Sequence, residues 1–170
     1  MRIGLQITKN KQKYKKLCSL IENPGNNRIS FIHIDSNQTL KQEFKNLDIL
    51  VTYGITPELF QHRSDKLKWI HIGASGVEQN LFKDLLKSKV MITNAKGINS
   101  KPVAEFIMSQ ILFFAKQFNA CNQFKLDKKW TQWELAKQIK QLSEYTLGII
   151  GYGEIGKELS RFAKSFGMRV

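Results

Sequence analysis

The chain has 170 residues, of which 42% are hydrophobic and 24% are charged, and its formal net charge is +13. This composition is typical of a folded globular chain and excludes a disordered one. The cysteines Cys18 and Cys121 are far apart and lack metal-ligand spacing, so they exclude a disulfide framework and indicate a reducing compartment. No stretch reaches the roughly 18 uninterrupted apolar residues of a membrane span, and the basic start is unlike a signal peptide. We therefore expect a cytoplasmic protein with no membrane partner and no metal.

The positive charge is spread along the chain. Lysines recur over residues 9–16 and again over residues 125–140, without the aromatic interleaving or the motifs of a nucleic-acid module. Charge runs of this kind usually face water. We therefore expect no nucleic-acid partner, although a positive field also attracts anionic substrates and phosphate-bearing cofactors.

Short β-rich runs alternate with possible helices over the first 93 residues. The predicted strands are Arg2–Thr8, Arg28–Ile34, Leu47–Thr52, Trp69–Ile72 and Val90–Thr93. The predicted helices are Lys11–Ile21, Leu40–Phe44, Pro57–His62 and Gln79–Leu86. This alternation predicts βαβ crossovers and a parallel, doubly wound α/β sheet. Five strands would complete a small flavodoxin-like domain, which we place at residues 1–98.

A strongly apolar helix is predicted over Val103–Phe118. Ser100 is suited to cap its N-terminus, and Pro102 is tolerated in a first turn. The apolar residues form two neighbouring stripes, so we expect the helix to be buried on more than one side. A homodimer through this helix explains the pattern, and a central core helix in a monomer explains it equally well. The polar segment Lys125–Glu144 that follows is predicted to form a loop or short helices.

The residues from Thr146 onward read as a strand, a glycine motif and a helix. The strand is Thr146–Ile150, the helix is Lys157–Phe166, and the motif between them is Gly151-Tyr152-Gly153-Glu154-Ile155-Gly156. In this context G-x-G-x-x-G indicates dinucleotide binding. Gly151 permits the tight turn, Gly153 lets a pyrophosphate approach the backbone, and Gly156 lets the helix pack on the strand. The N–H groups near Glu154 and Ile155 would hold phosphate oxygens, so we predict NAD or NADP as the cofactor.

The residue that separates NAD from NADP is expected about 20 positions after the motif, just past Val170. A dinucleotide-binding half-domain needs βαβαβ, whereas this chain supplies one strand, one helix and the start of a second strand. We therefore expect residues 99–170 to be the first part of a Rossmann domain in a truncated sequence.

Four motifs, in order, resemble the D-isomer-specific 2-hydroxyacid dehydrogenase family. They lie in the segments Trp69–Glu78, Thr93–Gly97, Ser100–Glu105 and Tyr145–Val170. The first 65 residues resemble the family in architecture alone. The resemblance implies a substrate domain with a Rossmann domain inserted in it. It also implies hydride transfer between NAD(P)H and a small 2-oxo or 2-hydroxy acid substrate.

The resemblance also assigns roles to residues. The backbone around Ser75, Gly76 and Val77 would bind the substrate carboxylate through N–H groups. Tyr53 and Gly54, in the turn after a strand, would line the same pocket. By the same resemblance, Val103 would approach the nicotinamide.

No catalytic residue is assigned within this chain. The family uses an Arg, a Glu and a His, and the resemblance places all three beyond Val170. His33, His62 and His71 do not match that His, so we expect the 170-residue chain alone to be inactive. Two alternatives stay open: an NAD-binding regulatory or scaffold protein, and a related dehydrogenase of formate, phosphite or a phosphorylated hydroxyacid. A basic cluster in the substrate pocket would favour the phosphorylated substrate.

Overall fold

The computed structural model describes residues 1–21 and 28–170. They form two compact units, Met1–Lys96 and Gly97–Val170. Each unit has its own hydrophobic core. In the described part of the chain, no helix is long and apolar enough to cross a membrane.

The first unit contains a parallel five-stranded sheet. Its strands are β1 (Arg2–Gln6), β2 (Ser30–His33), β3 (Ile49–Thr52), β4 (Trp69–Ile72) and β5 (Met91–Asn94). They lie in the order β2-β1-β3-β4-β5, and every neighbouring pair is parallel. This is the flavodoxin-like order, so the predicted α/β class is confirmed.

Helices of the first unit connect the strands. They are α1 (Lys11–Ile21), α2 (Asn37–Glu43), α3 (Pro57–Phe60) and α4 (Lys83–Lys87), with 3₁₀ turns at Phe44–Asn46 and Glu78–Asn80. Helix α2 begins three residues earlier than predicted because Ser36 caps it, accepting a hydrogen bond from the Thr39 N–H at 3.1 Å. The predicted helix Gln79–Leu86 is divided because Phe82 is extended and its ring packs edge-on against Phe60.

The core of the first unit consists of the sheet and the helices packed on it. Leu50, Ile70 and Ile72 are fully buried in the neighbouring strands β3 and β4, and Phe44 and Leu85 cover them from outside the sheet. Near-continuous apolar runs are expected for parallel strands that are covered on both faces. This explains why the strands were readable from the sequence.

The second unit is mainly helical. Its helices are α5 (Ser100–Ala115), α6 (Phe118–Leu126), α7 (Gln132–Ala136) and α8 (Glu154–Ser165), with a 3₁₀ turn at Leu142–Glu144. Ala104 and Met108 of α5 are buried in one cluster with Leu159 and Ala163 of α8. The short helix α7 and the 3₁₀ turn lie within Lys125–Glu144 and agree with the loop or short helices predicted there.

One prediction about α5 is wrong. Asn99, not Ser100, occupies the N-cap position, and the Ser100 hydroxyl instead donates to the carbonyl of Gly97 at 2.7 Å. Within a single chain the helix is buried on one side, and Phe106 and Phe114 are 65% and 66% exposed. The expectation that its second apolar side is also covered therefore stays a prediction. The helix ends at Ala115 because Gln117 adopts a left-handed conformation, with φ of 56°.

The predicted strand Thr146–Ile150 is reduced to a single parallel bridge between Thr146 and Arg169. The Leu147 N–H donates to the Arg169 carbonyl at 2.8 Å, and the Arg169 N–H donates to the Tyr145 carbonyl at 3.2 Å. A β-strand needs several consecutive residues paired with a neighbouring strand. Among the described residues, this segment has one such pair, Thr146 with Arg169. Ile150 is consequently fully exposed.

Candidate functional site

The predicted substrate residues lie at the carboxyl edge of the first unit's sheet. Tyr53 and Gly54 follow β3, and Ser75, Gly76 and Val77 follow β4. Parallel strands end at one edge, and ligands of open α/β sheets bind at that edge. The topology therefore brings both predicted segments to one place.

Tyr53 and Gly76 line a cleft of about 290 Å³, which we call the acid cleft. Its other lining residues are Ala74, Glu78, Gln79 and Asn80. The Tyr53 side chain is 60% exposed, and its ring lies over Gly73, with a ring carbon 3.0 Å from where a Cβ would stand. Gly54, Ser75 and Val77 are chain neighbours of the lining residues but are not themselves in the lining.

Backbone donors are available beside this cleft. The N–H groups of Ser75, Gly76 and Val77 donate to no atom of the described residues. Successive free N–H groups form an anion-binding concavity. These N–H groups can therefore donate hydrogen bonds to the two oxygens of a carboxylate ligand without any side-chain cation.

Side chains that the sequence interpretation missed hold these segments in place. The buried Asn80 accepts a hydrogen bond from the Ile55 N–H at 2.8 Å through Oδ1. The Asn94 amide donates to the Ser75 carbonyl at 2.7 Å. The Thr52 hydroxyl accepts from the Gly54 N–H at 3.1 Å. Thr52 and Asn94 are the last residues of β3 and β5, which was a signal in the sequence. The partners of Asn80 and Asn94 are distant in sequence, so these contacts were not predictable.

Glu78 was also missed, and it opposes the binding of anions. Its Oε2 lies 2.9 Å from the position that a Cβ on Gly76 would occupy. An exposed carboxylate here repels a negatively charged ligand, although solvent and salt weaken that repulsion.

The glycine motif of the second unit forms a tight loop at the start of α8. Gly151 has φ of +90°, a conformation that favours glycine. A Cβ at Gly156 would lie 2.7 Å from the carbonyl oxygen of Gly151 and 3.2 Å from Ile149 Cγ2. Gly153 precedes α8, and a Cβ there would meet nothing within 4 Å. The loop thus packs closely at Gly156 and leaves open space at Gly153.

The N-terminus of α8 offers donors to an anion. The N–H groups of Ile155 and Gly156 donate to no described atom, whereas the Lys157 N–H closes the first turn on the Gly153 carbonyl at 2.9 Å. A twelve-residue helix carries a partial positive charge at this end. The loop residues therefore fit a pyrophosphate group.

Charged and aromatic side chains flank the loop. The Lys157 ammonium lies 2.9 Å from Glu154 Oε1, and this hydrogen bond raises the pKa of Lys157. Both side chains are exposed, so the pair contributes little to stability. Tyr152 is exposed in the loop, and Val103 is partly exposed in the first turn of α5.

The histidines of the first unit have other contacts. His33 stacks on Tyr14, and its Nε2 lies 2.7 Å from the Thr8 carbonyl. His71 Nδ1 lies 2.8 Å from the Thr93 hydroxyl, and His62 is exposed after α3. Of the described residues, no three His, Cys, Asp or Glu side chains are grouped so as to hold a metal.

A flavodoxin-like sheet and a G-x-G-x-x-G loop at a helix N-terminus define a dinucleotide-dependent α/β protein. Comparison with known families agrees. The NAD-binding domain of the D-isomer specific 2-hydroxyacid dehydrogenases matches residues 108–170. This match supports the resemblance to the D-isomer-specific 2-hydroxyacid dehydrogenase family, and it confirms the predicted cofactor class, NAD or NADP.

Individual relatives support the assignment. The chain is 28% identical to the glyoxylate reductase of Thermococcus litoralis over 134 residues, which are 76% of this chain and 40% of that protein. It is 24% identical to the hydroxypyruvate reductase of Thermotoga maritima over 159 residues, 92% of this chain and 51% of that protein. The D-lactate dehydrogenase of Lactobacillus jensenii, solved with NAD+, shares the fold with a TM-score of 0.78 and 18% identity. That match covers 99% of this chain and 52% of that one. The chain thus spans about half, or less, of the length of these relatives.

Proposed function

We propose that this protein transfers a hydride between NAD(P)H and a small 2-oxo acid, giving a D-2-hydroxy acid by a reversible reaction at its CH–OH group. The observation that carries the proposal is the geometry of the glycine loop. Gly156 packs against the Gly151 carbonyl, Gly153 leaves open space, and the Ile155 and Gly156 N–H groups are free.

In this proposal the second unit binds the dinucleotide. The loop residues Gly151, Tyr152, Gly153, Glu154, Ile155 and Gly156 hold the pyrophosphate, and Val103 contacts the nicotinamide. The cofactor supplies the hydride when it is bound. The protein holds that cofactor in position, and Gly153 keeps the space proposed for the pyrophosphate free of a side chain.

The first unit binds the substrate in this proposal. The free N–H groups of Ser75, Gly76 and Val77 hold the substrate carboxylate, and Tyr53 and Gly54 form the neighbouring wall. No Lys or Arg belongs to the described lining of the acid cleft, which supports a small unphosphorylated acid. Two relatives, named glyoxylate reductase and hydroxypyruvate reductase, support the same substrate class.

We further propose a homodimer through the exposed face of α5, the helix that the sequence predicted over Val103–Phe118. By the helical period, Phe106 and Phe113 lie on the face opposite Ala104 and Met108. Phe113 packs against Phe114 and Phe118, with ring centroids 5.5 and 6.1 Å apart. An exposed aromatic cluster of this kind is typical of a protein interface. The free thiols of Cys18 and Cys121 support a cytoplasmic location.

The test is a titration of the chain with NADH and NADPH, followed by nucleotide fluorescence. We expect saturable binding, and we expect Gly153→Ala to weaken it about tenfold because the methyl group enters the space proposed for the pyrophosphate. Gly148→Ala is the matched control, since a Cβ there also meets nothing within 4 Å and lies outside the motif. Absence of binding, or equal binding by all three chains, would contradict the proposal. Nucleotide binding by the complete protein without turnover of any 2-oxo acid would indicate a regulatory protein instead.

A further inference from the structure

A second cleft of about 480 Å³ opens at the carboxyl edge of the first unit's sheet, beyond Tyr53. It lies where β1, β2 and β3 end. Strands β2 and β3 lie on opposite sides of β1, so the direction in which the chain adds strands reverses there. In an open α/β sheet, such a switch point forms the crevice in which ligands bind. We call it the tail cleft, and its volume suits a small molecule.

The lining of the tail cleft is rich in hydrogen-bonding side chains. Those that carry the argument are Gln6, Thr8, Lys9, Asp35, Ser36 and Asn37. They include a cation, a carboxylate, two amides and two hydroxyls. Lining of this kind offers both donors and acceptors within one small volume, which is the requirement for binding several hydroxyl groups.

Several of these groups are fixed in place and keep unused hydrogen-bonding capacity. Gln6 Nε2 donates to Asn37 Oδ1 at 2.9 Å, which leaves the Asn37 amide protons without a partner in the described structure. The Thr39 hydroxyl donates to Asp35 Oδ1 at 2.6 Å, and a carboxylate can accept about four hydrogen bonds. The Lys9 ammonium forms no ion pair with a described residue.

Tyr53 lines both the acid cleft and the tail cleft. The two clefts therefore adjoin at the Tyr53 ring, and a sufficiently long ligand with its carboxylate in the acid cleft would extend past this ring into the tail cleft. An apolar tail there would displace the water that hydrates Asp35 and Lys9 and would offer no hydrogen bonds in its place, which is unfavourable. A hydroxylated tail replaces those hydrogen bonds, and its C–H groups can contact the aromatic ring.

We infer that the preferred substrates are 2-oxo and 2-hydroxy acids with a polyhydroxylated tail, of the sugar-acid class, bound by Asp35, Asn37 and Lys9 beyond Tyr53. The inference rests on the proposed function, since the carboxylate must first be held by Ser75, Gly76 and Val77. It goes further in assigning a site and a chemical class to the rest of the substrate.

The test is nitrogen-15 NMR of the 170-residue chain titrated with D-lactate and with D-gluconate. The two acids share the 2-hydroxycarboxylate end and differ in the tail. We expect both acids to shift the backbone amides of Ser75, Gly76 and Val77, and D-gluconate alone to shift the Asn37 side-chain amide. We also expect the Kd for D-gluconate to be about tenfold lower, as one or two added hydrogen bonds predict.

Two variants sharpen the test. Asn37→Ala removes the free amide donors and should raise the Kd for D-gluconate roughly fivefold, with a smaller effect on D-lactate. Asn46→Ala, at an exposed position in a 3₁₀ turn outside both clefts, is the matched control and should change neither value. The spectra themselves report whether each variant is folded.

The outcomes separate the inference from the function on which it rests. If D-gluconate shifts the Ser75–Val77 amides but not Asn37, and binds no better than D-lactate, the inference is wrong and the proposed function stands. If neither acid shifts those backbone amides, the proposed carboxylate site is wrong and the inference fails with it.

Discussion

Replacing Gly156 with alanine tests the packing of the glycine loop. The new Cβ would lie 2.7 Å from the Gly151 carbonyl oxygen, a contact that no side-chain rotation can relieve because the oxygen belongs to the backbone. Overpacking of this kind costs about 1–3 kcal/mol. Alanine is favoured over glycine within a helix by up to about 1 kcal/mol, which offsets part of that cost. We therefore expect a net loss of about 1–2 kcal/mol in the free energy of unfolding of the second unit.

The assay must report on the second unit alone. Trp130 and Trp133 lie in that unit and Trp69 lies in the first, so a Trp69→Phe background leaves both fluorophores in the second unit. We expect thermal unfolding followed by tryptophan emission to show a Tm about 5–15 °C lower for Gly156→Ala, given the usual relation for small domains.

Gly153→Ala is the control for this stability measurement. Its φ of −80° is allowed for alanine, and the methyl group would meet nothing within 4 Å. The loss of a glycine N-cap is small, and the lower entropy of the unfolded chain offsets it, so we expect a Tm near that of the parent. An unchanged Tm for Gly156→Ala, or an equal fall for both variants, would refute the proposed role of Gly156 in packing.

Four further predictions concern the two clefts, the exposed face of α5 and the activity of the chain. Glu78→Gln should lower the Kd for D-lactate about threefold at low salt, since it removes a carboxylate beside Gly76. The same Kd in parent and variant would show that Glu78 does not oppose the binding of anions. Hydrogen bonds from Thr39 and Ser36 lower the pKa of Asp35 below its ordinary 3.8, so its charged form stabilises the fold above that pH, and this contribution is lost as pH falls through the lowered pKa. The stability difference between the parent and Asp35→Asn in urea should therefore shrink as pH is lowered below 3.8, and a constant difference would contradict this cause. Phe106→Glu should convert a dimer of the complete protein into a monomer in sedimentation. Gln61→Glu, at another exposed position, is the control and should leave the dimer intact. A parent protein that sediments as a monomer at micromolar concentration would exclude the dimer. The 170-residue chain should oxidise no NADH with glyoxylate or hydroxypyruvate, and reproducible protein-dependent oxidation would disprove that expectation.

The sheet was predictable because its strands are covered on both faces. Buried parallel strands such as Ile49–Thr52 and Trp69–Ile72 are short apolar runs between polar segments, and this pattern is visible in sequence. The start of α2 was misplaced because the hydrophobic period begins at Leu40, whereas the cap at Ser36 determines where the helix starts. Thr146–Ile150 has the composition of a strand, but strand pairing also depends on a partner segment.

The candidate sites were only partly predictable. The glycine motif is local, so Gly151, Gly153 and Gly156 could be assigned from spacing alone. The roles of Asn80 and Glu78 depend on contacts made in the folded chain: Asn80 binds the Ile55 backbone, and the Glu78 carboxylate lies beside Gly76. The tail cleft joins the ends of three strands that are distant in sequence, and no single segment indicates it.

The central claim is that the loop Gly151–Gly156 binds the pyrophosphate of a nicotinamide dinucleotide. Nitrogen-15 NMR of the chain during titration with NAD+ tests it most directly, because the Ile155 and Gly156 amides are the proposed donors. We predict saturable shifts of those two amides that are reproduced by inorganic pyrophosphate at higher concentration. Saturation with NAD+ that leaves both amides unshifted would contradict the claim.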